Sequence, residues 1–341
     1  MSGIIELPRP FLLFIGDVAD PGYAKTALGL RDWTPEHCVG EWALPGNPLR
    51  LGLPVLTPSE AREQGAKSLV IGVAPIGGAL QPLWLDALLE ALEAGLDIVS
   101  GMHSALADVP VLSAAATRLG RRLIDIRRPP PGLPVATGQR RRGKRLLTVG
   151  TDCALGKKYT ALSLARAFQA RGVAVDFRAT GQTGIMIAGR GIPMDAVVSD
   201  FLAGAAEVLS PDAAPDHWDV IEGQGSLFHP AYAGVSLGLL HGSQPDVLVL
   251  CHEHGREHVI GYGDGYPLPS LEDAIGLHLQ HARRVNPDAR VAGISLNTAG
   301  LAPEEAAAVL AAEAERLGLP CADPVRGGPS FDRLVDACLS A

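Results

Sequence analysis

The chain has 341 residues, of which 47% are apolar, 19% charged and 5% aromatic. This length exceeds what one hydrophobic core usually fills, so it predicts two domains, and the apolar content excludes an intrinsically disordered chain. The formal net charge of −8 at pH 7 argues against a protein that binds nucleic acid through an overall positive field.

The first half alternates short apolar runs with helical patterns. Strands are predicted at 11–15, 68–73, 97–100 and 122–126, and helices at 83–94 and 111–119, an alternation typical of a parallel sheet. Three consecutive prolines at 129–131 and a basic run at 139–145 follow, and stacked prolines cannot continue a helix or a central strand. We therefore expect one domain over residues 1–135 and a second over residues 136–341.

The second half repeats this alternation. Strands are predicted at 145–149, 173–179, 218–222, 246–251 and 290–296, and helices at 158–171, 196–209, 271–284 and 303–317. The first strand, a glycine-bearing loop and the first helix form the start of a βαβ unit. The fold class expected for the whole chain is α/β with parallel sheets.

The glycine-bearing loop has the residues of a phosphate-binding loop. It lies between a predicted strand and a predicted helix, where backbone N–H groups and the helix N-terminus solvate a phosphate. It comprises Gly150, Thr151, Asp152, Cys153, Ala154, Leu155, Gly156, Lys157 and Lys158. The spacing GxxxxxGK is one residue longer than that of the usual P-loop and resembles the loop of dethiobiotin synthetase-type enzymes.

Lys158 stands where a P-loop usually has serine or threonine. That hydroxyl binds Mg²⁺, whereas a lysine repels the metal and favours more anion. Thr160, two residues further along the helix, faces another direction. The loop therefore predicts a phosphate-bearing ligand bound without Mg²⁺, and Mg-ATP is not expected as a cofactor.

Polar loops follow two later strands, at the sheet edge where ligands bind in open α/β folds. Gln182 and Thr183 come after the second strand of this half, and Gln224 and Ser226 come after the strand that ends in Glu222. We expect these side chains to bind substrate, and Glu222 to act as a carboxylate base.

Two histidine-bearing segments follow Glu222. His229 has the natural pKa for proton transfer near neutrality and is the second candidate for the base. The histidines within 252–258 do not have the HExxH spacing of a zinc site, so no metal is predicted. His252 and Arg256 are instead expected to line a polar pocket, in which the guanidinium suits a carboxylate substrate.

The cysteines and the apolar stretches predict a cytoplasmic protein. The cysteines are scattered and form no CxxC pair, which argues against a disulfide framework or a thiolate zinc site. The N-terminus lacks the basic segment and long apolar run of an export signal. Glycine and proline interrupt the longest uncharged stretches, so no membrane span is expected.

The assembled motifs resemble the family of P-loop D-glutamate N-acetyltransferases, long carried as uncharacterised proteins and sometimes mislabelled as nucleotide-sugar epimerases. The resemblance runs nearly end to end. It rests on KTALGL at 25–30, SGMHSALAD at 100–108, GTDCALGKKYT at 150–160, ATGQTGIMIAG at 179–189, MDAVVSDFLAGAAE at 194–207 and EGQGSLFHPAYAGVSLGLLHGSQPD at 222–246. It implies a Rossmann-like N-terminal domain, a C-terminal P-loop domain, acetyl-CoA as donor and D-glutamate or a related acidic D-amino acid as acceptor, in D-amino-acid catabolism.

This implied reaction agrees with the residues of the loop, since the phosphates of CoA suit Lys157 and Lys158 without Mg²⁺. A base, Glu222 or His229, would take a proton from the substrate ammonium, and Arg178 or Arg256 would bind a substrate carboxylate.

Two other functions stay open at this point. The loop spacing also fits an ATP-dependent ligase or kinase of the dethiobiotin-synthetase type, although Lys158 speaks against it. A nucleotide-sensing protein without catalysis would show ligand-induced stabilisation and no turnover. The acidic charge and abundant apolar residues are compatible with a homo-oligomer.

Overall fold

A computed structural model of the chain describes residues 4–73 and 79–340. In chain order its strands are β1 (Ile5–Glu6), β2 (Phe11–Gly16), β3 (Cys38–Ala43), β4 (Ser68–Ile71), β5 (Asp97–Ser100), β6 (Leu123–Asp125), β7 (Lys144–Gly150), β8 (Val175–Arg178), β9 (Arg190–Gly191), β10 (Trp218–Ile221), β11 (Val247–Glu253), β12 (Arg290–Asn297) and β13 (Cys321–Ala322). Its α-helices are α1 (Lys25–Trp33), α2 (Pro58–Glu63), α3 (Leu85–Glu93), α4 (Pro110–Leu119), α5 (Lys157–Ala170), α6 (Gln182–Ala188), α7 (Ser199–Leu209), α8 (Ala233–Ser243), α9 (Leu271–Ala282), α10 (Pro303–Leu317) and α11 (Gly328–Leu339).

One compact unit comprises the chain up to Pro130 together with Gly181–Ala196. Within its described residues the main sheet has the order β3-β2-β4-β5-β6, and neighbouring strands are parallel. β2 reads FLLFIG and is buried throughout, because helices cover both faces of such a sheet. The ring of Phe14 packs edge-on against Trp84 at a centroid distance of 5.8 Å, which places the core of this unit around β2.

This unit contains a segment that follows the phosphate-binding loop in sequence. β1 pairs with β9, and the Leu7 N–H donates to the Gly189 carbonyl at 2.8 Å. α6 and β9 therefore pack with the N-terminal sheet, whereas the sequence analysis divided the chain once, at residues 135 and 136. The sequence patterns also did not indicate α1, β3 and α2.

The other unit comprises Pro131–Thr180 and the chain from Val197 onward. Its sheet has the order β13-β12-β11-β7-β10-β8, and the strands are parallel. In its core, the ring of Phe168 on α5 meets that of Trp218 on β10 at 5.3 Å. The predicted α/β class with parallel sheets is confirmed.

The strand order of this second sheet places a ligand-binding edge beside β7. After β7 the chain passes through α5 to β8, at one edge of the sheet. After β10 it passes through α8 in the opposite direction, to β11 on the other flank of β7. Open α/β sheets bind ligands where the connections diverge in this way, outside the carboxyl ends of the strands. The loop after Gly150 lies at this point.

Helix ends follow local chemistry. Ser270 caps α9, since its hydroxyl accepts the N–H of Asp273 at 3.1 Å. α10 ends at Gly318, whose φ of 63° is in the left-handed region that favours glycine. Among the helices of residues 4–73 and 79–340, none has the length and apolar character that a bilayer crossing requires.

Gly242 sets how closely α8 approaches α7. A Cβ at this position would lie 2.1 Å from the Ala203 carbonyl oxygen, so Gly242→Ala must push the helices apart. We expect the free energy of unfolding, measured by urea denaturation, to fall by about 1–3 kcal/mol. Gly276 in α9 has open space around such a Cβ, and the control Gly276→Ala should raise stability by about 0.5–1 kcal/mol. Equal effects of the two substitutions would contradict the close approach.

Candidate active site

The predicted phosphate-binding loop connects β7 to α5. Gly156, the last residue before the helix, has a φ of 105°, in the region that favours glycine. A Cβ on Gly150 would lie 3.2 Å from the Nζ atom of Lys157. The positive φ of Gly156 lets the loop turn into the helix. The absence of a Cβ on Gly150 lets the Lys157 side chain pass close to the backbone. Between them, Ala154 also has a left-handed φ of 55°, and Leu155 is buried.

Lys157 is the first residue of α5 and points back across the loop. Its Nζ atom donates to the Asp152 carbonyl at 2.7 Å, and the side chain is buried. Burial lowers the pKa of this ammonium. A phosphate in the loop would favour the charged form and accept a charge-assisted hydrogen bond from it.

Asp152 ties the loop to the segment after β11. Its Oδ1 atom accepts the Cys153 N–H at 2.6 Å, and its Oδ2 atom accepts the N–H of Ile260 at 2.8 Å and Nη1 of Arg256 at 3.1 Å. Arg256 also donates to the Cys153 carbonyl at 2.8 Å and pairs with Glu253. Two carboxylates of the protein therefore pair with this guanidinium, and its role in binding a substrate carboxylate stays a prediction.

His252 joins the loop to the end of β11. Its Nδ1 atom lies 2.8 Å from the Thr151 hydroxyl oxygen, and the Thr151 N–H donates to the Cys251 carbonyl at 3.2 Å. Burial, with a smaller contribution from the Arg256 guanidinium, lowers the pKa of this histidine. The neutral imidazole is therefore the dominant form at pH 7.

Cys153 and His229 meet at the loop. The Cys153 Sγ atom, a ring nitrogen of His229 and a carboxylate oxygen of Asp152 all lie within 4.8 Å of one another. Burial raises the pKa of the Cys153 thiol. The Nδ1 atom of His229 accepts the Ala231 N–H at 3.1 Å, so the neutral ring carries its proton on Nε2. Sequence reasoning did not pair these residues, because the loop after β10 is distant from the phosphate loop along the chain.

Glu222 lies at the carboxyl end of β10, next to the strand that carries the phosphate loop. Its Oε2 atom accepts the Thr180 N–H at 2.9 Å, and its carbonyl accepts the Thr180 hydroxyl at 2.6 Å. The Gln224 amide donates to that same hydroxyl at 3.1 Å. The following N–H, of Gly223, donates to Thr148 on β7 at 2.9 Å. These bonds hold a buried carboxylate at the ligand-binding edge of the sheet.

Arg178 belongs to a buried ion-pair network. Its Nε atom donates to Asp219 at 2.7 Å, and its Nη2 atom lies 2.8 Å from a carboxylate oxygen of Asp176. The Ser210 hydroxyl donates to the other Asp219 oxygen at 2.6 Å. Two carboxylates thus pair with this guanidinium within the fold, and its role in binding substrate stays a prediction.

Of three further predicted residues, Ser226 and Thr183 have hydrogen-bond partners in the fold, and the buried Oε1 atom of Gln182 has none among the described residues. Ser226 is buried, and its hydroxyl accepts the Phe228 N–H at 3.2 Å, so it shapes the turn after β10. Gln182 and Thr183 begin α6, in the unit of the N-terminal sheet. There the Thr183 hydroxyl lies 3.4 Å from that of Thr26.

The hydroxyl of Thr160 is used within the fold. It lies 2.7 Å from the Ser295 hydroxyl and donates to the Gly156 carbonyl at 3.1 Å. These contacts hold the hydroxyl between the start of α5 and β12. The Lys158 ammonium, at the position of that hydroxyl in sequence, lies 4.5 Å from the centroid of the Tyr159 ring.

Two cavities adjoin the loop segments. One, of about 340 Å³, is lined by His252, His254, Arg256, Glu257, Leu268, Pro269, Ser270, Leu271, Leu296, Glu313 and Arg316. The other, of about 220 Å³, is lined by Leu155, Gly156, Tyr159, Thr160, Ser295, Asn297, Asp323, Pro324 and Val325. The sequence analysis indicated a polar pocket at His252 and Arg256 and did not find the second cavity, whose far wall comes from β12 and β13.

His278 on α9 is a buried histidine that the sequence analysis missed. Its Nδ1 atom lies 2.7 Å from the Ala274 carbonyl oxygen, its Nε2 atom has no hydrogen-bond partner in the described part of the chain, and its ring contacts Phe228. Burial, opposed by the bond to Ala274 and aided by the Lys157 charge, lowers its pKa to about 4.

This histidine should make the fold sensitive to acid. The unfolded chain binds its proton near pH 6.5 and the folded chain near pH 4, so stability falls as pH falls between these values. We expect this group to remove about 2 kcal/mol of the free energy of unfolding between pH 7.5 and 5.0. In urea denaturation over the same pH range, the free energy of unfolding of His278→Met should fall by about 2 kcal/mol less than that of the wild type. An identical loss in both proteins would contradict the neutral buried state.

The architecture matches that of a known protein family. A model described as the P-loop domain of unknown function DUF1611_C matches residues 134–335, and one described as the Rossmann-like domain DUF1611_N matches residues 36–129. The crystal structure of a DUF1611 family protein from Anabaena variabilis is 35% identical, with a TM-score of 0.82, and the match covers 97% of this chain and 99% of that one.

Two curated relatives are similar over nearly their whole length. A protein named D-glutamate N-acetyltransferase from Tritonibacter scottomollicae is 53% identical over 97% of this chain and 98% of its own. One of the same name from Pseudoalteromonas sp is 48% identical over 95% and 97%. The prediction of an acyltransferase enzyme is confirmed. The chain belongs to the DUF1611 family, with a Rossmann-like N-terminal domain and a P-loop C-terminal domain.

Proposed function

We propose that this protein transfers the acetyl group of acetyl-CoA to the amino group of D-glutamate. The observation that carries the proposal is the pair of lysines at the loop: the Lys157 side chain is buried there and donates to the Asp152 carbonyl, and Lys158 stands where other P-loops have the metal-binding hydroxyl. CoA offers phosphates that need no metal. The name of the two relatives, D-glutamate N-acetyltransferase, supports D-glutamate as the acceptor and acetyl as the group transferred.

The loop has one role in this proposal, which is to bind the diphosphate of CoA. Its backbone N–H groups and the Lys157 ammonium are donors for phosphate oxygens. The thioester lies at the other end of the long pantetheine arm. Because Glu222 also lies beside this loop, the arm must fold back along the sheet edge to bring the thioester to that carboxylate.

We assign removal of the substrate proton to Glu222. The neutral ring of His229 has its Nδ1 lone pair engaged by the Ala231 N–H, whereas a carboxylate has lone pairs for several donors. The freed amine attacks the thioester carbonyl, the C–N bond forms and the C–S bond breaks. The CoA thiolate leaves and takes up the second proton of the attacking nitrogen, and Glu222 returns the first proton to water. The products are N-acetyl-D-glutamate, CoA and one proton.

The proposal extends to the setting of the reaction. We place it in D-amino-acid catabolism in the cytoplasm, with the amino acid and acetyl-CoA as small-molecule partners and neither nucleic acid nor a membrane involved. We expect the enzyme to be a homo-oligomer.

Ligand-induced stabilisation tests the donor. CoA and acetyl-CoA should raise the Tm equally in EDTA and in Mg²⁺, because the bound state stabilises the fold by mass action. ATP should raise it less than CoA in both buffers. Stabilisation by Mg-ATP alone would instead support a ligase or kinase of the dethiobiotin-synthetase type, which the loop spacing also fits.

Release of free thiol from acetyl-CoA tests the acceptor. Addition of D-glutamate should start thiol release, and L-glutamate should not. N-acetylglutamate identified by mass spectrometry would link thiol release to acetyl transfer. Thiol release at the same rate without an amino acid would mean hydrolysis and would contradict the proposed transfer.

A further inference from the structure

The cavity of about 220 Å³ lies against the end of the phosphate loop. Its lining includes Gly156, the residue before α5, and Val325, in the segment after β13. We infer that this cavity binds the adenine ring of CoA. The inference rests on the proposed function, since it takes the CoA nucleotide as the ligand of the loop.

The walls of this cavity suit a flat apolar ring. Val325 is 77% exposed although it is apolar, and Pro324 precedes it. Tyr159, at the start of α5, and Leu155, in the loop, also line the cavity. A heteroaromatic ring between these walls would remove apolar surface from water on both of its faces.

The far wall is rigid before any ligand arrives. Asp323 accepts the Thr298 N–H at 2.9 Å with one carboxylate oxygen and the Val325 N–H at 3.0 Å with the other. Arg326 donates to the Thr298 hydroxyl at 2.8 Å and to the Leu301 carbonyl. These bonds join the loops that follow β12 and β13, so little conformational entropy is lost when a ring binds there.

One polar group in the cavity, the side-chain amide of Asn297, can recognise a purine by hydrogen bonding. Asn297 ends β12, and its Oδ1 atom accepts the Ala299 N–H at 3.0 Å. This bond fixes the orientation of the amide and leaves its NH₂ group as a donor. The ring nitrogens of adenine are acceptors, and the one charged side chain in the lining, Asp323, has both carboxylate oxygens engaged by backbone N–H groups. The arrangement therefore favours a neutral purine over the charged amino acid.

Position relative to the loop supports the same assignment. Gly156 both lines the cavity and precedes the helix whose N-terminal N–H groups face a bound phosphate. A diphosphate on those groups places the attached nucleoside at Gly156. The pantetheine arm then leaves from the other end of the diphosphate, so it does not compete for the cavity.

Two donors that differ by the nucleotide test the inference. Acetyl-CoA carries the nucleotide, and acetyl-pantetheine has the same thioester and pantetheine arm without the nucleotide. Val325→Asp puts a charge on the apolar wall, and Tyr159→Leu removes the aromatic side chain. Each should lower kcat/KM for acetyl-CoA at least tenfold and leave kcat/KM for acetyl-pantetheine unchanged. Val135, which is 63% exposed in the same unit, gives the matched control Val135→Asp, which should change neither value.

Equal losses with both donors, or no loss with either, would overturn the adenine assignment. A second readout does not depend on turnover: the Kd of CoA, measured by calorimetry, should rise at least tenfold in Val325→Asp and stay unchanged in Val135→Asp. If the Kd of CoA rises in Val325→Asp as expected but the wild-type protein does not acetylate D-glutamate, the cavity assignment holds and the proposed reaction is refuted. An unchanged Kd in Val325→Asp would refute the cavity assignment alone.

Discussion

Lys157→Met is expected to weaken the binding of CoA by about 100-fold or more. The ammonium is buried in the loop and donates to the Asp152 carbonyl, so it is poised to exchange this partner for a phosphate. Loss of a desolvated, charge-assisted hydrogen bond costs about 2–5 kcal/mol. The measurement is calorimetric titration with CoA, and kcat/KM for acetyl-CoA should fall in parallel.

The stability of the variant separates lost binding from lost folding. Burial lowers the pKa of Lys157, which means that the unliganded fold disfavours its charge, so methionine should leave the Tm of the unliganded protein unchanged or higher. Lys144→Met is the matched control. Lys144 begins β7, away from the loop, with its Nζ atom 5.3 Å from the Trp218 ring centroid. Equal CoA affinities in the two variants would rule out the phosphate-binding role of the loop.

Glu222→Gln is expected to lower kcat by about 100-fold or more while leaving the affinity for CoA unchanged. A positioned general base contributes roughly 10²–10⁴ in rate. The glutamine amide oxygen can still accept the Thr180 N–H that the carboxylate accepts now, so the ends of β8 and β10 should keep their arrangement. Steady-state kinetics with acetyl-CoA and D-glutamate, together with CoA titration, measure both quantities.

His229→Asn distinguishes the second candidate for the base. The asparagine oxygen can replace Nδ1 as acceptor for the Ala231 N–H, so the loop after β10 should remain folded. If Glu222 is the base, this variant keeps more activity than Glu222→Gln. The reverse order of the two kcat values would assign proton removal to His229.

Features formed by neighbours in sequence were predictable. The phosphate loop is one contiguous segment, and its function depends on glycine conformation, a lysine at the helix start and exposed backbone N–H groups, all of which the order Gly150 to Lys157 specifies. The alternation of buried strands and helices was visible for the same reason, because β2 is the continuous apolar run FLLFIG and β7 contains the mostly apolar run LLTVG. The two parallel sheets followed from that alternation.

Short or weakly patterned elements were not predictable. α1 reads KTALGLRDW, and the residues it buries are Ala27, Gly29 and Leu30, too few large apolar side chains for a clear helical period. The place of α6 and β9 was also hidden. Residues 181–196 lie between elements of the P-loop sheet in sequence, and they join the other unit through pairing with β1, which no local pattern encodes.

Partnerships across the site were decided by tertiary structure. By itself the sequence identified Asp152, Arg178 and Arg256 as charged groups at the expected edge, but their partners depend on which strands are neighbours. The order of the sheet brings β8 beside β10, which satisfies Arg178 with Asp219, and β11 beside β7, which lets Arg256 reach Asp152. A buried charge takes the nearest opposite charge that packing supplies. The sequence therefore determined the phosphate loop, and only the folded chain determined which cations the protein itself neutralises.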